Sequence, residues 1–216
     1  TPDGPRAGQL LQQGQQGTVM SQQAPVVTEG FAFEASSRGW EVLFGVYNME
    51  GTIRFVNQEP IRDPSEIVDP NHIVIFPERI GAQLTGQVEV TLREPGTYEA
   101  DALMTQKCLM KGRGRRVDTY LVQCNASSNP QESEPTLFDG SVTFERPILA
   151  VISVSSQLDA TDLYLGKRGF TYPTDDVRGL EYGDTLSLSE DRHTLTIHWE
   201  TVHRFDQIRV IVDSDG

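Results

Sequence analysis

Alternation is sharpest in "TLTIHWE" (194–200), where Leu195, Ile197 and Trp199 fall on one face and Thr196, His198 and Glu200 on the other. "QVEVTLRE" (87–94) repeats the pattern with Val88, Val90 and Leu92. A period of two puts alternate side chains on opposite faces of a strand and does not suit a helix, so both apolar sets are expected in a core. Similar short runs rich in β-branched and aromatic residues recur between turn residues: "FAFEA" (31–35), "WEVLFGVYN" (40–48), "TIRFVN" (52–57), "TYEADALMTQKC" (97–108), "VDTYLVQC" (117–124), "TLSLS" (185–189) and "DQIRVIVD" (206–213). "SVTFERPILAVISV" (141–154) reads as two strands meeting at Pro147. Prolines at 60, 64, 70 and 77 mark 59–77 as mostly loop, with "HIVIF" (72–76) embedded as a short edge strand.

About eleven strands at this spacing predict an all-β fold, a jelly-roll-like β-sandwich. At most one short helix is expected, in "SSQLDATDLYLG" (155–166), with Asp159 or Thr161 as cap and Gly166 as stop.

Residues 1–30 have a different texture. Gly, Pro and Gln dominate, and Leu10, Leu11, Val19, Met20, Val26 and Val27 are scattered apolar positions. Such a segment cannot fold alone and reads as an extended arm preceding one domain over 31–216. Ordering it costs about 1–2 kcal/mol of backbone entropy per residue, which its own burial does not offset. A partner's sheet edge is suited to offset that cost, because main-chain hydrogen bonds are indifferent to side chain.

Charge narrows the partners. Asp and Glu number 31 against 18 Lys and Arg, a net charge of -13. That balance disfavours nucleic acid and anionic membrane surfaces, which need cations that release counterions. No window approaches the roughly 18 apolar residues of a helical membrane span, and the opening at Thr1 is what a cleaved secretory leader would leave. In an extracellular setting Cys108 and Cys124, flanking "LMKGRGRRVDTYLVQ", are expected to bridge across a hairpin that turns at Gly112 and Gly114. The sequon at Asn125 is a candidate glycan acceptor in a eukaryotic setting.

Against the acidic background, Lys107, Lys111, Arg113, Arg115 and Arg116 form a basic hairpin. It suits either an anionic polysaccharide or the acidic surface of the next copy. Asp159, Asp162, Asp175 and Asp176 supply hard oxygen ligands for Ca²⁺, with Glu181 and Asp184 nearby in sequence and "DSDG" (213–216) at the end, although no stretch matches the twelve-residue calcium loop with its closing glutamate. His72, His193, His198 and His203 lack zinc spacing. No nucleophile elbow, phosphate-cradling glycine loop or metalloprotease helix is present, so no catalytic residue or cofactor is expected.

The order "FDGSVTFERPILAVI", "LDATDLYLG", "FTYP", "RGLEYGD", "LSEDRHTLTIHW" and "DQIRVIV" (138–212) resembles a C-terminal cassette of uncharacterised secreted bacterial proteins. The resemblance implies an extracellular β-domain, with 138–216 packed into the same domain, and carries no activity. Within it Arg178 is expected to pair with Glu181 and pin the "RGLE" loop.

Two functions follow as expectations. One is a secreted, non-enzymatic structural subunit that assembles with copies of itself through its N-terminal arm. The alternative is a carbohydrate-binding or adhesive module, with Tyr164, Phe170, Tyr172 and Tyr182 as candidate stacking residues. The aromatics discriminate: an exposed platform favours binding, and buried plugs favour assembly.

Overall fold

The computed structural model describes residues 44–56, 62–125, 135–174, 178–201 and 206–215. The arm residues Leu10, Leu11, Val19, Met20, Val26 and Val27, the run 31–35, Asp175, Asp176 and His203 lie outside them.

The fold is mostly β. Twelve strands are present among the described residues: β1 (Val46–Gly51), β2 (Ile53–Phe55), β3 (Ile73–Gln83), β4 (Gln87–Val90), β5 (Gly96–Glu99), β6 (Cys108–Lys111), β7 (Arg116–Cys124), β8 (Thr136–Phe144), β9 (Ile148–Ile152), β10 (Thr185–Leu188), β11 (Thr194–Thr201) and β12 (Asp206–Asp213). They form a five-stranded sheet in the order β1-β8-β11-β10-β5, a second in the order β2-β3-β7-β12-β9, and the pair β4-β6. All neighbours are antiparallel except β2 and β3.

The expected core faces are buried. Leu195, Ile197 and Trp199 join Val142 and Phe144 of β8, Tyr120 and Val122 of β7, and Val210 and Val212 of β12 in one cluster fed by both five-stranded sheets. On the other face of the second sheet, Val117, Ala150, Ile152 and Ile211 pack against Val88, Val90 and Met110 and against Leu158 and Leu165 of a helix, Ser155–Leu165. The second sheet is thus covered on both faces, which is why β12 is buried at every position from Asp206 to Val212.

Three expectations about the elements need correction. Two helices are present, not one: α1 (Ala100–Met104) interrupts the run 97–108, and α2 is Ser155–Leu165. Neither Asp159 nor Thr161 caps α2; its N-cap is Val154, which has no side-chain cap bond. "HIVIF" is no edge strand, since it opens an eleven-residue strand lying between β2 and β7. Pro77 is tolerated there because β2 pairs only with Ile73–Ile75 and the β7 ladder shifts register between Pro77 and Arg79.

The cysteines are free thiols. β6 pairs with β4, while β7 pairs with β3 and β12, so the chain between them crosses from one sheet to another. The hairpin geometry that would have brought Cys108 to Cys124 is absent: Cys124 is buried in the central cluster, whereas half-buried Cys108 packs against the other one. Burial raises the Cys124 thiol pKa, and the Asp206 and Asp184 carboxylates add to the rise. No helix among the described residues is long and apolar enough to cross a membrane.

Candidate functional site

The features that single out a surface begin inside the second sheet. Gln207 and Arg209 share a face of β12 that α2 covers, so a guanidinium is buried completely. Its Nε and Nη2 donate to the two oxygens of Glu78 at 2.6 and 2.8 Å, Nη2 also donates to Asp162 Oδ1 (2.8 Å), and Nη1 donates to Thr161 Oγ1 (2.7 Å). Burial opposes the Arg209 charge, but the Glu78 carboxylate more than offsets that and the pKa rises. A bidentate pair of this kind is the form in which a buried charge is tolerated.

Arg178, equally buried, extends the network. Its Nη1 donates to Asp159 Oδ1 (2.7 Å) and Asp162 Oδ2 (2.6 Å), and its Nε to Gln207 Oε1 (2.7 Å). This replaces the expected Arg178–Glu181 pair: Arg178 anchors the following loop to α2. It also places two of the calcium candidates, Asp159 and Asp162, against guanidinium groups. Among the described residues no group of three or more His, Cys, Asp or Glu converges as a metal site. His72, His193 and His198 meet Asp69, the Phe144 carbonyl and Asp139 respectively, in separate places.

Tyr172 lies over both cations, its ring 5.0 Å from the Arg178 guanidinium carbon and 5.5 Å from that of Arg209. Its hydroxyl donates to Glu78 Oε1 (2.5 Å) and accepts from the Lys167 amide (2.7 Å). Burial raises the Tyr172 pKa, and Glu78 raises it further. Phe170 packs on Phe76 and Tyr172 with ring centroids 5.9 Å apart in each case. These two aromatics are half-buried plugs. Tyr182 is 81% exposed and lines a separate cleft, so the three do not form one platform.

The buried network holds α2 and its C-terminal loop against β3, and two surface hollows result. A groove of about 620 Å³ runs beside Glu78–Gln83, walled by Tyr164, Lys167 and Arg168. A cleft of about 490 Å³, lined by Asp159, Asp162, Leu163, Phe170 and Tyr172, shares Arg79, Lys167 and Arg168 with it. Arg79 fixes the wall by donating to the carbonyls of Gly166 (2.8 Å) and Leu163 (3.2 Å). Ile80, Leu163 and Tyr164 expose 51, 89 and 41% of their surface around these hollows, which is a concentration of apolar area at one sheet margin. Past Phe55, the outer edge of β3 has no strand partner among the described residues.

The basic residues are distributed differently from expectation. Lys111, Arg113, Arg115 and Arg116 are exposed around the β6–β7 turn, where Gly114 takes φ +84°, a left-handed conformation that suits glycine. Lys107 lies at the opposite end of β6, about 13 Å along the strand, and pairs with Glu89 (3.3 Å). The turn is a crossover between sheets and not a hairpin tip. The Asn125 amide nitrogen, which a glycan would occupy, is buried and donates to Ser65 O (3.0 Å).

Sequence reasoning did not find Glu78, Arg209, Arg79, Ile80, Lys167 or Arg168. One signal was available for Arg209: Gln207 and Arg209 alternate on one face of a strand whose remaining interior positions, Ile208, Val210, Ile211 and Val212, are all apolar. No match to this chain is found among protein-family models, curated proteins or solved structures.

Proposed function

We propose that the chain is a jelly-roll-like sandwich subunit of an extracellular assembly, in which segment 10–27 of one copy adds as a strand along the Glu78–Gln83 edge of β3 in the next. The observation that carries this reading is the β3 edge over Glu78–Gln83, which has no strand partner among the described residues, with a groove beside it and exposed Ile80, Leu163 and Tyr164 at its margins. Natural sheets cover or charge such edges, and an edge flanked by apolar surface is a template for another chain.

The occupant is argued from the sequence. Segment 10–27 contains no charged residue, so it brings two copies of net charge -13 together without adding repulsion at the contact. Its apolar anchors Leu10, Leu11, Val19, Met20, Val26 and Val27 are short enough to enter a shallow groove. Arg79, Lys167 and Arg168 rim that groove and, with the basic turn at Lys111, Arg113, Arg115 and Arg116, draw an acidic neighbour toward the correct face. The burial of Phe170 and Tyr172 as plugs also favours assembly over a stacking platform.

Deletion of residues 1–30 tests the reading. The full chain is expected to form oligomers whose mass grows with concentration, and the truncated chain to stay monomeric with unchanged thermal stability. Oligomers that persist without the segment would exclude it.

A further inference from the structure

A second cleft, of about 510 Å³, lies away from the β3 edge, where the chain passes from β9 into α2. It is lined by Met104, Ser153, Ser156, Glu181 and Tyr182 among others. Two features there lack an internal explanation. The Ser153 hydroxyl is buried, with the residue 2% exposed, and makes no hydrogen bond. A buried hydroxyl without a partner is costly unless something else supplies one. The adjacent first turn of α2 has no side-chain cap, and its Gln157 and Leu158 amides both donate to the Val154 carbonyl. Tyr182 holds its ring 81% exposed at the cleft margin, with Met104 44% exposed beside it.

Charge selects among ligands. The helix start alone would suit an anion. Glu181 lines the same cleft, however, and buried Asp184 adjoins it, so an anion entering there meets a carboxylate. A group that both donates and accepts hydrogen bonds satisfies both sides, giving a proton to Glu181 and taking one from Ser153. A ring with an apolar C–H face completes the match by lying on Tyr182.

We infer that this cleft is a binding site for a neutral, hydroxyl-rich ring, the chemistry of a pyranose unit in a saccharide. The site is independent of the β3 edge and does not rest on the assembly reading. Tyr182 supplies the stacking face, Glu181 accepts from ring hydroxyls, and Ser153 donates to a ring or hydroxyl oxygen at the floor.

The test uses the labelled full chain on an array of neutral and uronic-acid oligosaccharides, followed by calorimetric titration with the best neutral hit. Binding to a neutral saccharide is expected, weakened about tenfold by Tyr182→Ala. Ser153→Ala is expected to weaken it severalfold while leaving thermal stability unchanged or raised, because the hydroxyl has no partner to lose. No neutral saccharide bound, binding that survives Tyr182→Ala, or binding confined to uronic-acid chains would each overturn the inference. A Tyr182→Phe variant that keeps affinity ties the effect to the ring and not to loss of the loop.

Discussion

Glu78 and Arg209 are the pair on which α2 and the β3 edge depend, since both side chains are fully buried and each satisfies the other. Glu78→Gln removes the bidentate carboxylate from a fully buried guanidinium and leaves it only Asp162 as countercharge, so it is expected to cost about 3 kcal/mol in urea unfolding. Added salt should change that cost little, because ions do not reach the pair. Asp206 and Asp184 behave in the opposite sense. Burial raises Asp184 to about 6 and Asp206 well above the ordinary carboxylate value, and Asp184 raises Asp206 further. Their folded-state pKa values exceed the unfolded value of about 3.9, so the native state binds more protons. The stability they contribute is complete below about pH 4 and is lost as pH rises through 6 and beyond. Asp206→Asn keeps an acceptor for the Thr201 hydroxyl and should gain stability over the parent progressively between pH 4 and 7.5. An equal effect at both pH values would contradict the assignment. The free thiols give a further check: unfolding should be insensitive to reductant, with Cys108 modified rapidly in the folded protein and Cys124 only on unfolding.

At the scale of elements, α2 is held less by propensity than by what it covers. Leu158 and Leu165 face the second sheet, and Gly166 ends the helix where a Cβ would lie 2.4 Å from Asp162 O and 2.8 Å from the Tyr172 ring. Gly166→Ala should therefore destabilise by about 1–3 kcal/mol, and a melting temperature unchanged from the parent would refute the close approach. The strands whose one face is wet, β4 and β11, were legible because burial and alternation coincide in them: Val88, Val90, Leu195, Ile197 and Trp199 are all core. α1 was illegible because five residues cannot display a helical period. β3 was misread because Pro77 is a reliable breaker only where both strand edges are paired, and here β2 has already ended. The ion network was hidden for a different reason. Glu78 and Arg209 are 131 residues apart, and no local pattern encodes a contact of that separation.

The whole molecule combines strong self-repulsion, at net charge -13, with one sheet margin that concentrates apolar exposure and cations. Assembly through that margin should be selective in direction, because segment and edge are different surfaces; contacts of this kind propagate when the rotation does not close. Raising salt should slow the approach of copies steered by Arg79, Lys167 and Arg168, while apolar anchoring persists. Ile80→Glu, on an exposed residue, should abolish assembly without unfolding the subunit. The most direct measurement is hydrogen exchange on the chain lacking residues 1–30, with and without a synthetic peptide spanning 10–27. The account predicts that the peptide slows exchange at the β3 amides between Glu78 and Gln83, and that Ile80→Glu removes this protection. Protection elsewhere, or none at peptide concentrations that restore assembly, would contradict it.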